Sequence, residues 1–135
     1  MMGSFGILLL IILCLGYCVN DILFEKSYSF ALRIVKLNKF LTNNKREYVL
    51  SKQLLRSGTA IGALVSEAKY AQSRADFIHK MQIALKEANE SRYWIDLLTD
   101  SDYMTPAMKE SIYPNIESII KLLTSTINTT KGNNK

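Results

Sequence analysis

Cysteine is confined to one place. Cys14 and Cys18 both lie in an apolar run near the N-terminus, and the rest of the chain has none. The body therefore has no disulfide framework, and with His79 as its single histidine it has no Cys/His set for a structural zinc. That composition fits a reduced, cytoplasmic domain. Proline is equally scarce, with two residues, and no alternating runs of valine, isoleucine and threonine occur. Both absences argue against a β-sheet protein. Charge is missing altogether from Phe5 to Val19, FGILLLIILCLGYCV. This run is shorter than the roughly 18 residues a spanning helix usually needs. It is also preceded by no lysine or arginine of the kind that opens a secretory signal. Residues 1–20 read as an N-terminal extension, either from a start placed too early or as a weak export signal or short anchor.

What is present in quantity is alanine, leucine, lysine and glutamate from Ser27 onward, the composition of an all-α fold. Helical periodicity places helix A at about Ser27–Leu41, with Phe30, Ile34, Leu37 and Leu41 as its apolar stripe and Ala31 and Val35 widening it. The polar turn Thr42–Arg46 leads to helix B, about Glu47–Tyr70. Helix C spans about Arg74–Thr99, with Ser73 as its N-cap and Asp76 completing an approximate capping box. Phe77, Met81, Ala84, Leu85, Ala88, Ile95 and Leu98 repeat on one face. Helix D follows the N-cap Thr105, with Pro106 at its first position, and continues through Ile127; Pro114 is expected to kink it or split off a short first piece. Four amphipathic helices with short turns predict an antiparallel up-down-up-down four-helix bundle over residues 21–130, followed by a polar tail at 131–135.

The centre of helix B is its most unusual stretch. Gly58, Gly62 and Ser66 recur every fourth residue, although an interior glycine costs a helix about 1 kcal/mol relative to alanine. They draw a smooth strip along one side. Such a strip suits either close helix packing or a ligand groove, and packing is the commoner use.

Chemistry is harder to find. Ser57 has no base beside it, and His79 lies off the core stripe of helix C. No Glu-x-x-His pair marks a di-iron bundle. Glu67, Glu87 and Glu90 are more simply bridges to Arg56, Arg92 or Lys86 than acid–base groups. No metal site, cofactor or small-molecule substrate is indicated, and no enzymatic activity is expected. Charge is the better lead. From Ile22 to Ala71 the bases Lys26, Arg33, Lys36, Lys39, Lys45, Arg46, Lys52, Arg56 and Lys69 face only Glu25, Glu47 and Glu67, whereas acids outnumber bases from Gln72 to Thr130. An antiparallel A–B hairpin gathers several of these cations toward its turn. Arg33, Lys36, Lys45, Arg46, Lys52 and Arg56 are the candidates for phosphate contacts with RNA or DNA. Arg56 has the alternative of bridging to Glu67 or Glu87 inside the bundle. No recognition helix or aromatic stacking platform is legible beside them.

From Phe24 to Thr130 the chain resembles the four-helix bundle proteins encoded in intervening sequences of bacterial 23S ribosomal RNA genes. These are related to the accessory protein of diversity-generating retroelements. The resemblance rests on Phe30–Leu37, on Leu50–Ala63 with its Leu-Leu-Arg-Ser-Gly-Thr-x-Ile-Gly core, and on Glu67-Ala68. It continues through Asp76-Phe77, Ala84–Ala88 and Glu90–Trp94. It implies a ring-like homo-oligomer, typically a pentamer, with no known enzymatic activity. In the retroelement relatives it also implies a basic surface that contacts nucleic acid and the reverse transcriptase. A protein-interaction module docking such a partner is the alternative function. The chain departs from the family pattern in residues 1–20 and at Leu64-Val65-Ser66, where many relatives are more polar.

Overall fold

A computed structural model describes residues 3–132, with side chains described from Asp21 onward. It contains four helices: α1 (Gly3–Asn43), α2 (Leu50–Ala68), α3 (Arg74–Asp100) and α4 (Pro106–Lys131). α1 packs on α2 and α4, and α3 packs on α2 and α4. Among the described residues the diagonal pairs do not meet, so the helices occupy the corners of a square. This is an all-α four-helix bundle. Antiparallel register shows directly in α2. A side chain at Gly58 would meet Ile34, and one at Gly62 would meet Ser27, so advancing along α2 means retreating along α1.

α1 starts earlier than the predicted Ser27. Nothing breaks it upstream, because Leu23 and Ser27 continue the alternating spacing of Phe30, Ile34, Leu37 and Leu41, and all six side chains are buried. The predicted widening of the stripe does not occur at Val35, which is exposed on the outer side with Tyr28 and Leu32. Expectations for residues 1–20 fall outside the residues whose side chains are described. Among the described residues, no helix is long and apolar enough to cross a membrane.

Opposite α1, the core is completed by Leu54, Ile61 and Val65 of α2, by Met81, Ala84, Ala88, Ile95 and Leu98 of α3, and by Ile112, Ile116, Ile119, Leu123 and Ile127 of α4. Full burial of each leucine or isoleucine side chain contributes about 1.5–3 kcal/mol before entropy is counted. Local chemistry sets the helix ends. The Ser73 Oγ accepts from the Asp76 N–H at 3.1 Å. The returning arm of the capping box lands one residue early, where Asp76 Oδ2 accepts from the Gln72 N–H at 3.3 Å. Thr105 Oγ1 accepts from the Met108 N–H, and Gly132 closes α4 in the left-handed region at φ 76°.

Pro114 does not divide α4, contrary to expectation. It lies exposed on the outer side, while Ile112 and Ile116, one turn apart around it, are buried in the core, and the helix runs through it without a split. α2 also begins later than predicted, at Leu50 and not at Glu47. The Glu47 side chain reaches forward to cap the helix, and the residue itself stays outside it.

Candidate nucleic-acid interface

The α1–α2 turn is built around that glutamate. Glu47 is only 7% exposed, and its Oε1 accepts from the N–H groups of Val49 (3.0 Å) and Leu50 (2.8 Å). Its Oε2 accepts from the Ser51 N–H at 2.7 Å, and the Ser51 hydroxyl donates back to the Glu47 carbonyl at 2.8 Å. Three otherwise orphaned N–H groups of the α2 start are thus satisfied by one carboxylate, where the helix dipole also favours negative charge. Burial alone would raise the pKa of this carboxyl. The backbone N–H groups of Leu50, Ser51 and Val49 outweigh it and hold the pKa below its ordinary value of 4.5.

The far side of the turn is fastened to α1. The Glu47 N–H reaches the Leu41 carbonyl six residues back at 3.0 Å, with Arg46 in the left-handed region at φ 52°, and the Asn38 amide donates to the Ser51 carbonyl. Side chains between these anchors point outward from a fixed backbone.

The sequence-predicted contact residues separate into two groups. Lys36, Lys45, Arg46 and Lys52, together with Lys39, are exposed and form no ion pair among the described residues. All five belong to the last turns of α1, the α1–α2 turn and the first turn of α2, so they share one end of the bundle. Arg33 and Arg56 are instead engaged in contacts between helices at the bundle surface. Arg33 spans α1 and α4, donating to the Ser111 carbonyl (2.9 Å), the Ser111 hydroxyl (2.7 Å) and Asn115 Oδ1 (2.6 Å). It thereby braces the turn of α4 just before Pro114. Arg56 crosses from α2 to α3, with its guanidinium 3.2 Å from Glu87 Oε2 and 2.5 Å from Glu90 Oε1. Glu90 also accepts from the Trp94 indole at 3.1 Å. The Arg56 hydrogen bond is the main reason the Glu90 pKa lies below its usual value, with burial opposing and the indole assisting.

The small-residue strip of α2 faces α1 at Gly58 and Gly62. A Cβ at Gly58 would come within 2.9 Å of Ile34 Cγ1, whereas one at Gly62 would sit at an ordinary 3.7 Å from Ser27. Ser66, at the end of the strip, is half-buried. The opposite flank of α2 meets α3 through a buried pair in which the Ser91 hydroxyl donates to Ser57 at 2.9 Å.

Sequence reasoning missed two features of this end. One is the capping role of Glu47; its signal was a lone acid four residues before Ser51 in an otherwise basic segment. The other is Tyr48, which is 60% exposed among the free cations. Between α1 and α4 lies an open groove of about 330 Å³, lined by Leu37, Met104, Met108, Ile112 and the aliphatic flank of Arg33, whose head group is already satisfied by Ser111 and Asn115. Among the described residues, no three His, Cys, Asp or Glu side chains group as a metal site.

These features define a class: an all-α four-helix bundle with a cluster of exposed cations at one end. A family model described as 23S rRNA-intervening sequence protein matches residues 20–125, and the chain belongs to that family. It is also similar to a solved structure from Bacteroides thetaiotaomicron, a protein of unknown function from the S23 ribosomal protein family. The two are 54% identical, with a TM-score of 0.80, over 82% of this chain and 98% of that one. No curated protein matches.

Proposed function

We propose that this protein is a non-enzymatic, self-associating bundle that binds RNA or DNA through the end formed by the α1–α2 turn. One observation carries the reading. Lys36, Lys39, Lys45, Arg46 and Lys52 converge on one end, exposed and without carboxylate partners among the described residues, while the only acid of the turn is buried and spent on backbone N–H groups. Unpaired cations gathered this way neutralise phosphates with little regard to sequence. Arg33 and Arg56 act in the bundle itself and are not assigned to phosphate. Self-association is supported by Tyr28, Leu32 and Val35, which are exposed on successive turns of the outer side of α1 and give a second copy an apolar face to cover. The same face would serve a protein partner such as a reverse transcriptase, which is the second reading.

The test is binding of the full chain to labelled structured RNA and to duplex DNA across a salt series, with its mass in solution measured alongside. Steep weakening with salt is expected. A Lys45→Ala/Arg46→Ala/Lys52→Ala variant should flatten the slope of log K against log salt by about 2–3, since each lost phosphate contact removes about 0.7–0.9. Unchanged affinity and slope in the folded triple variant would overturn the interface. A monomeric mass would remove self-association.

A further inference from the structure

The α1–α2 turn carries more than charge. Tyr48 sits between Arg46 and Lys52, 60% exposed, and its neighbour Val49 is 71% exposed. Among the described residues, the Tyr48 ring stacks on no other aromatic ring and lies under no cation, and its hydroxyl has no hydrogen-bond partner; the pairs that do form are Phe24–Tyr28 and Tyr93–Trp94. The core makes no use of it. Its backbone is nonetheless held firmly, because Glu47 clamps the N–H groups on its C-terminal side and the Glu47 N–H ties its N-terminal side to Leu41. A large ring on a fixed backbone loses only two side-chain torsions when it binds something flat. Arg46 occupies a left-handed position, as Asp102 does in the α3–α4 turn, and it places a guanidinium two residues from the ring.

We infer that Tyr48 is a base-stacking platform, so that this turn takes unpaired nucleotides, single-stranded or looped out, in preference to intact duplex. Lys45, Arg46 and Lys52 meet the flanking phosphates while the phenol ring covers one base face. In a duplex both faces of an interior base are already stacked, so the ring would find nothing to cover. Stacking of this kind is tolerant of sequence because every base offers a π-face. The inference rests on the nucleic-acid reading above and adds the kind of nucleic acid.

The experiment compares three probes at one salt concentration: an unstructured oligonucleotide, an abasic oligomer of the same length and charge, and a blunt duplex. The full chain should bind the base-bearing strand about 5- to 150-fold more tightly than the abasic one. Tyr48→Ala should remove that difference while leaving abasic binding unchanged, and Tyr48→Phe should keep it. Lys45→Ala/Arg46→Ala should weaken both single-stranded probes together. Tyr70→Ala alters the tyrosine in the α2–α3 turn, which is 84% exposed, and should change none of them. If Tyr48→Ala retains full preference for the base-bearing strand, the stacking role is overturned and the phosphate interface stands. If the wild-type chain binds no probe at low salt, both readings fall.

Discussion

The two turns that flank α2 use the same residue types to opposite effect. Each carries an exposed tyrosine and several cations. At the α2–α3 turn the cations are occupied. Lys69 lies 3.2 Å from Asp21 and over the Phe24 ring, Lys80 lies 3.5 Å from Asp76, and Arg74 donates to the Thr130 carbonyl. At the α1–α2 turn Lys45, Arg46 and Lys52 meet no acid among the described residues. The difference follows from what packing brings to each turn. The second has Asp21 of α1, the Thr130 carbonyl of α4 and the local Asp76 within reach; the first joins two basic stretches, and its one acid is consumed in capping. Exposed pairs such as those at the α2–α3 turn contribute only about 0–1 kcal/mol each, so the contrast bears on what the surface can bind far more than on stability.

The largest effect should come from the cap that makes the first turn rigid. Glu47→Ala leaves three N–H groups at the α2 start without their acceptor and should cost about 2–4 kcal/mol by chemical denaturation. A cost below 0.5 kcal/mol would mean that water replaces the carboxylate and that the two turns are equally soft. The same carboxyl makes stability depend on pH. Its folded pKa lies below the ordinary 4.5, so its contribution is complete above that value and is lost as pH falls through the lower folded pKa; Glu90 acts in the same direction. Acidification should therefore lower the unfolding midpoint of the wild type more than that of Glu47→Gln, and parallel acid profiles would count against the assignment.

Between the turns, packing holds α2, and its two glycines should respond differently. Gly58→Ala should cost about 1–2 kcal/mol net, because the new methyl meets buried, β-branched Ile34 at 2.9 Å, an overpacking that exceeds the gain in helix propensity. At the other end, Ser73→Ala should cost about 1 kcal/mol through loss of the α3 cap, noticeably less than Glu47→Ala. Gly62→Ala comes last and has the opposite sign. With its nearest neighbour at 3.7 Å, it should be neutral or stabilising by up to about 1 kcal/mol. Equal destabilisation at both glycines would show α1 closer to α2 than these distances allow.

Much of this architecture was legible because it is encoded over short distances. Ser73 and Thr105 cap N–H groups three residues away, and the alternation from Phe30 to Leu41 is one helix face seen edge-on. What was not legible has longer reach or depends on geometry. Glutamate is not a usual N-cap residue, and Glu47 caps α2 from three residues before its start, curling over the N–H groups of Val49, Leu50 and Ser51. Pro114 looks like a helix breaker in isolation, yet α4 runs through it, with the proline exposed and the isoleucines one turn apart around it buried. Tyr48 reads as an ordinary turn residue until the backbone around it is seen to be pinned.

By itself the sequence determined four amphipathic helices, their caps, the kind of bundle they form and the segregation of positive charge into its first half. All of these follow from periodicity and from groups a few residues apart. The tertiary structure alone decided which members of look-alike sets are available. Arg33 is taken up by Ser111 and Asn115, Arg56 by Glu87 and Glu90, and Gly58 by Ile34, while Lys45, Arg46 and Tyr48 have no side-chain partner among the described residues. Partners such as Arg33 and Ser111 stand 78 residues apart in sequence, and only the packing of α1 against α4 brings them together.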